Sequence, residues 1–462
     1  MNAAPEVLGS SYRDPRAFVF VRDGVLLRQV NEAHRRDFEG FLGSGLYEAL
    51  VGQGLLIPHD EVDLELAASP GAYKVLRPEV VPFVSYPYEW CFSQLRDAAL
   101  TTLRVQEVSM SHGMSLRDAS AFNVTYRRGA PVFIDTASFE PLVEGRPWVA
   151  YRQFCEHFLA PLALMAYRDP RLGQLLRIHL DGVPLDLAAE LLPRSATARP
   201  SLLLHLRLHA KSQRKHGRDG VDPQDQDRAK LSSKAFQGLV ESLRGAVTKL
   251  PEPRSDTTWA AYYDEASHYS DEASAAKEAL VATALSEAAP STVWDLGANT
   301  GRFARLASSR GIDTLALDLD QSPVEAAYRD ARARGDEHLL PLVMDLANPS
   351  PAAGWANRER MTLEERGPAD LVLALALIHH LAIGRNVPLD RVVAHLSRLG
   401  RWALVEWIPK QDPRVRELLA SREDVFDDYT EEAFEAAARS VFRVVRRDPI
   451  PGTDRILFLL QR

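Results

Sequence analysis

Cysteine is almost missing from this chain: 462 residues hold two, Cys91 and Cys155. No Cys-x-x-Cys zinc site, iron–sulfur site or disulfide framework can be written from one such pair. Long apolar runs are absent too. No stretch approaches the ~20 apolar residues of a membrane span, and Met1 to Arg16 carries Pro5, Asp14 and Pro15 but no apolar leader core. The chain therefore reads as cytoplasmic, with no membrane partner. Basic excess is also lacking. Lys and Arg number 55 against 63 Asp and Glu, a net charge of -8, which argues against a nucleic-acid backbone as the main partner.

What is present is an ordinary globular composition, 46% hydrophobic and 26% charged, in a chain long enough for two or three cores. From Arg199 the texture changes. A Leu run, Leu202 to Leu208, passes into Lys211-Ser-Gln-Arg-Lys-His-Gly and Asp222-Pro-Gln-Asp-Gln-Asp, polar and without apolar periodicity. Residues 201–254 hold 11 Lys and Arg against 6 Asp and Glu, a basic surface stretch. A helix is expected over Ala229 to Leu250, ended by Pro251-Glu-Pro. The expected organisation is a first domain over 1–210, a polar, basic linker with a helix over 211–254, and a second domain over 255–462.

In the second domain apolar β runs alternate with helical patterns, as in βαβ units. The expected strands are Thr292 to Leu296, Thr314 to Asp318, Leu340 to Met344, Leu371 to Leu375, Trp402 to Glu406, Phe442 to Arg446 and Ile456 to Leu460. The last two are joined by a turn too short for a parallel crossover, so the final strand must run antiparallel. Strand one ends in Asp295-Leu-Gly297-Ala-Asn299-Thr-Gly301, whose glycines let a ligand approach the backbone at a helix N-terminus. Strand two ends in Asp318, 17 residues beyond Gly301, where a carboxylate can accept both hydroxyls of a ribose. Strand three ends next to Asp345, placed to accept from an exocyclic amine.

At these residues the segment resembles a class I S-adenosylmethionine-dependent methyltransferase. The resemblance implies a Rossmann-like α/β fold with a seven-stranded sheet, and S-adenosyl-L-methionine held by Asp295, Gly297, Asn299, Gly301, Asp318 and Asp345. A dinucleotide-binding domain is the alternative, but its middle glycine is absent from Gly297-x-x-x-Gly301. His379, His380 and Glu406, at the ends of strands four and five, are the candidate catalytic groups on the acceptor side; an ordinary structural role is the competing reading for each. Asp320 is read either as a second ribose ligand or as a helix N-terminal acid. Trp259, Tyr262, Tyr263 and Tyr269 are read as a lid or as an amphipathic helix.

The first domain carries a second constellation. Asp118 and Asn123 are five apart in a loop before a strand, and Asp135 ends the returning strand. This resembles the catalytic loop and metal-binding acid of the protein-kinase and aminoglycoside-phosphotransferase superfamily, implying an α+β kinase-like module. In that superfamily the acid at Asp118 would accept a hydroxyl proton, and Asn123 with Asp135 would hold the magnesium of Mg-ATP. Leu116 stands where the superfamily has His, Thr136-Ala137 where it has Phe-Gly, and no glycine-rich phosphate loop precedes them. Lys74, the sole lysine of the first 210 residues, invites the phosphate-binding role but falls close before the expected hinge.

The whole chain is thus read as a methyltransferase with a kinase-like module for acceptor binding or scaffolding, resembling a group of bacterial methyltransferases, some of them nodulation-protein-like. Its acceptor would be a small molecule, carbohydrate, lipid or peptide. The alternatives are an ATP-dependent or bifunctional phosphotransferase using Asp118, Asn123 and Asp135, and a non-catalytic protein that binds the methyl donor.

Overall fold

The computed structural model describes residues 4–197, 199–208, 232–253, 270–420 and 422–462. The aromatic set at 259–269 and most of the basic stretch lie outside these residues. The chain forms two units, Met1–Arg254 with Ala352–Arg360, and Ser255–Pro351 with Met361–Arg462. Two expectations about boundaries are corrected by this division. The helix Ser233–Thr248 is part of the first unit rather than of a linker, because its apolar stripe Phe236, Val240, Leu243 and Val247 is buried. And nine residues from the second half of the sequence belong to the first unit.

The first unit opens with a five-stranded antiparallel sheet of β1 (Glu6–Val7), β2 (Ala17–Arg22), β3 (Val25–Asn31), β4 (His59–Val62) and β5 (Ala72–Pro78), in the order β1-β2-β3-β5-β4. The β2–β3 turn uses Asp23 and Gly24 at positive φ, the Asp-Gly pair that a two-residue hairpin requires. A 20-residue helix, Phe92–Ser111, follows, buried on most of its surface. Two small ribbons then place the candidate loop: β6 (Met114–Leu116) pairs with β9 (Phe139–Pro141), and β7 (Val124–Arg127) with β8 (Ala130–Phe133). The tight turn at Arg128 and Gly129, both at positive φ, folds β8 back on β7.

The second unit is a seven-stranded sheet: β10 (Thr292–Leu296), β11 (Asp313–Asp318), β12 (Leu339–Val343), β13 (Ala369–Ala374), β14 (Gly400–Trp407), β15 (Arg443–Pro449) and β16 (Ile456–Gln461). Their order is β12-β11-β10-β13-β14-β16-β15. The first five are mutually parallel, and β16 runs antiparallel between β14 and β15. All seven expected strands are present, with shifts of a few residues at their ends. Parallel strands covered on both faces read as unbroken apolar runs, which is why Leu371, Val372, Leu373 and Ala374 are all buried. One face packs Leu371, Leu373, Leu404, Leu457 and Leu459 against Val281, Ala284 and Leu285 of the helix Asp271–Ala288. Elsewhere Trp407 stacks on Tyr429 at 4.6 Å, with Phe434 and Phe458 beside them. Reversal of strand order between β10 and β13 opens the crevice where ligands of such sheets bind. Among the described residues no helix is long and apolar enough to cross a membrane.

Gly400 opens β14 where a Cβ would lie 2.7 Å from the Trp402 carbonyl and 2.8 Å from Val372. Gly400→Ala is expected to cost about 1–3 kcal/mol by overpacking. Urea unfolding checks this, and an unchanged midpoint would show that β14 shifts freely.

Candidate functional site

At the C-terminal edge of the second sheet the chain turns through Gly297 (φ 76°), Asn299 (φ 49°) and Gly301 (φ 76°), three left-handed residues in five. A Cβ on Gly297 would meet the Leu377 side chain at 3.3 Å, closer than ordinary van der Waals contact, and the positive φ disfavours any side chain there. Backbone bonds pin it to the next strand: Gly297 N and Ala298 N both donate to Leu317 O, at 2.8 and 3.0 Å. Asp318 then accepts from Asn299 N through Oδ2 (2.7 Å) and from Asp320 N through Oδ1 (2.9 Å). Each oxygen keeps a further lone pair for a ligand. Burial raises the Asp318 carboxyl above the usual range.

Asp295 is buried. Burial pushes its carboxyl up to about 7, against the opposing pull of Ala304 N and of Lys277. Its Oδ2 has no hydrogen-bond partner among the described residues. A buried acid with one oxygen unanswered, beside a glycine turn, is suited to a cationic group arriving from solvent. Asp345 lies one strand further, half-buried, its Oδ1 held by Ala347 N (2.9 Å) and its Oδ2 3.7 Å from Arg385. Asp320 caps the helix Gln321–Arg334, accepting from Ser322 N at 3.0 Å.

His379 follows β13. It is 1% exposed, and neither ring nitrogen has a hydrogen-bond partner among the described residues. Burial holds its pKa well below the ordinary value, as it does more mildly for His380, whose ring lies 4.1 Å away. Both are neutral imidazoles at pH 7. Glu406 stands differently. It is completely buried and fully engaged, accepting from Lys277 Nζ at 2.6 Å, Ala376 N at 2.8 Å and Arg455 Nη1 at 3.2 Å. Arg455 continues to Asp412 at 2.7 Å. Sequence reading missed Lys277 and Arg455. Lys277 did leave a signal: it occupies the buried stripe Ala273, Lys277, Val281, Ala284 of its helix, where an apolar residue belongs.

In the first unit, Asp118, Asn123 and Asp135 come together. Asp118 accepts from Ser120 N (2.9 Å) and meets the side chains of Asn123 and Gln153. Asn123 donates to Ser138 Oγ at 3.4 Å and its carbonyl receives Ile134 N at 2.8 Å. Ser138 Oγ in turn donates to Asp135. Burial, helped by the charge of Asp135, raises the Asp118 carboxyl. Burial would raise Asp135 as well, but Arg28 and Ser138 outweigh it and hold that carboxyl below its usual range.

Arg28, from β3, is the cation of this cleft. It pairs with Asp135 Oδ1 and also reaches Ile134 O at 3.2 Å. Lys74 pairs instead with Glu61 across β4 and β5, at 2.5 Å. Asp135 thus carries hydrogen bonds on both oxygens and a resident guanidinium. Among the described residues no group of three acidic, His or Cys side chains could hold a metal ion. With one Asp135 oxygen paired to Arg28 and the other accepting from Ser138, this carboxylate is already engaged in the arrangement shown.

Removing Glu406 would take the carboxylate from the buried Lys277 and leave Arg455 with Asp412 as its counter-ion. Glu406→Ala is therefore expected to cost about 3–5 kcal/mol of stability, and Glu406→Gln less. Denaturant titration decides it, and a loss below about 1 kcal/mol would mean that water replaces the carboxylate.

No family model matches the chain. Among solved structures, WbdD resembles it at 17% identity and a TM-score of 0.30, over 43% of this chain and 42% of that one, less than half its length. Magnesium protoporphyrin IX methyltransferase from Synechocystis PCC 6803, solved with bound SAM, resembles it at 15% identity and 0.32, over 45% of this chain and 92% of that one. Likenesses this slight carry no assignment. The sequence is 34% identical over 463 residues to nodulation protein NoeA of Rhizobium meliloti (strain 1021), covering 99% of this chain and 96% of that protein. With a third of its residues shared over nearly its entire length, the chain belongs to the family of nodulation protein NoeA.

Proposed function

We propose that this protein is an S-adenosylmethionine-dependent methyltransferase acting on an acceptor yet to be identified, and that its first unit is a kinase-like module that binds the acceptor or scaffolds the enzyme. The observation that carries the reading is the placement of Asp295, Asp318 and Asp345 at the C-terminal ends of the adjacent strands β10, β11 and β12, around the Gly297–Gly301 turn. When bound, the donor supplies an electrophilic methyl group on a sulfonium. Asp318 would accept from the ribose hydroxyls, Asp345 from the adenine amine, and Asp295, with its unanswered oxygen, would pair with the amino-acid ammonium.

Methyl transfer depends first on holding acceptor and donor in line. The neutral His379 imidazole, buried and without partners, suits removal of a proton from an acceptor hydroxyl or amine. Glu406 is already committed to Lys277 and Arg455, which favours a positioning role over proton transfer. Against phosphotransfer stands Arg28, whose guanidinium neutralises the acid that a metal would need. The first unit is accordingly read as a binding module.

Two measurements test this. Calorimetry on the full chain should detect S-adenosylmethionine, and Asp318→Ala should weaken binding by about 2–4 kcal/mol, roughly 30- to 1,000-fold. No heat with the wild type, or unchanged affinity in the variant, would sink the donor site. The second is pH dependence. With its carboxyl near 7, Asp295 must lose a proton before it can pair with an ammonium that stays charged below about pH 7.7. Affinity should fall roughly 20-fold from pH 7.5 to 5.5, and Asp295→Asn should flatten most of that slope. A wild-type affinity independent of pH would remove Asp295 from the ligand shell.

A further inference from the structure

Ala352–Arg360 lies in sequence between β12 and β13 of the second unit, yet in space it is part of the first. We infer that this segment is an internal docking element whose receptor is the first unit, and that its hold keeps the two units of the polypeptide together even when the chain joining them at 255–269 is cut.

The segment has a specified shape. Ala353 and Arg360 pair through both backbone bonds, at 3.2 and 3.1 Å, closing an eight-residue loop. Inside it Gly354, Ala356 and Asn357 have positive φ of 80°, 54° and 56°. A Cβ on Gly354 would stand 2.5 Å from that of Glu359. Non-glycine residues persist in the left-handed region only where their surroundings impose it.

Those surroundings are residues of the first unit. The Glu359 side chain is 4% exposed, and one of its oxygens accepts from Tyr12 Oη (2.8 Å), Arg13 Nε (3.0 Å), Arg13 Nη2 (2.7 Å) and its own loop's Trp355 N (2.9 Å). Arg13, Trp355 N and Tyr12 together hold this carboxyl below the usual range although burial pushes it up. The Arg360 guanidinium lies 4.0 Å from the centre of the Phe122 ring and 5.9 Å from Tyr86. Its Nε is buried without a hydrogen-bond acceptor among the described residues. Its Nη1 donates to Glu359 O at 2.8 Å while the rings flank the guanidinium, an environment that a planar, weakly hydrated guanidinium tolerates better than an ammonium. On the receptor side Gly9 is required: a Cβ there would fall 2.0 Å from the Arg358 carbonyl oxygen.

Shape, ion pair, cation–π contact and a matching glycine on the opposite side are the components of an interface rather than of a passing loop. Phe122 is the neighbour of Asn123, so the docked arginine rests on the same loop that carries Asp118 and Asn123. The inference does not rest on the methyl donor; a chain that bound none would still be held together in this way.

The test places a site-specific protease sequence within 255–269 of the full-length protein, after the last helix of the first unit, and follows the cut product by size-exclusion chromatography and native mass spectrometry. The cut wild type should run as one species near the intact 51.4 kDa. Cut Glu359→Ala/Arg360→Ala should separate, with an apparent dissociation constant raised roughly 100-fold or more, and Arg360→Lys should weaken the hold about tenfold. Gly9→Val and Arg13→Ala attack the receptor side, and decide the matter if the double variant fails to fold before cutting. Two separate fragments from cut wild type would overturn the inference. So would folded variants on both sides that stay joined as tightly as wild type.

Discussion

The second unit is organised around one buried carboxylate. Glu406, in the middle of its sheet, holds Lys277 from the helix before β10, Arg455 from the hairpin before β16, and the backbone N–H of Ala376 after β13. Buried ion pairs contribute little net stability over apolar packing, because desolvation offsets most of the attraction. What they do impose is geometry, since any arrangement that separates the partners leaves a bare charge in the interior. Here that geometry includes Ala376, a left-handed residue (φ 49°), and Leu377, which lies against the Gly297 turn. The alignment of the β13 loop with the glycine turn thus depends on a buried carboxylate that holds Ala376 N together with two cations from other elements.

The same logic runs through the first unit with a different outcome. Arg28 gives Asp135 a permanent counter-ion, and Ser138 links that acid to Asn123. A site of this construction is neutralised and hydrogen-bonded before any ligand arrives. Its electrostatics favour rigidity. Asp118, whose carboxyl is raised by burial and by the neighbouring charge, is the remaining polar group of interest there.

Much of the second unit could be read directly from the sequence, for a local reason. Parallel strands buried on both faces are written as contiguous apolar runs, and Asp295, Asp318 and Asp345 each follow such a run at its C-terminal end. The convergence of Asp118, Asn123 and Asp135 was legible for a related reason: Arg128-Gly129 forces a tight reversal, so residues distant by 17 positions must return to one another. Glu406 was visible as an acid at a strand end, but its partners were not, because Lys277 and Arg455 are distant from it by 129 and 49 positions and nothing local links them.

Local pattern by itself determined the strand series, the antiparallel final strand, the glycine turn and the acids that border it, since each depends on periodicity or on the conformational freedom of a few adjacent residues. Only the tertiary structure decided which charges meet: Arg28 rather than Lys74 beside Asp135, Lys277 beneath Glu406, and Arg360 of the second half on Phe122 of the first. Ion pairs and ring contacts carry no sequence period, and so they appear only when the fold brings remote positions within a few ångströms.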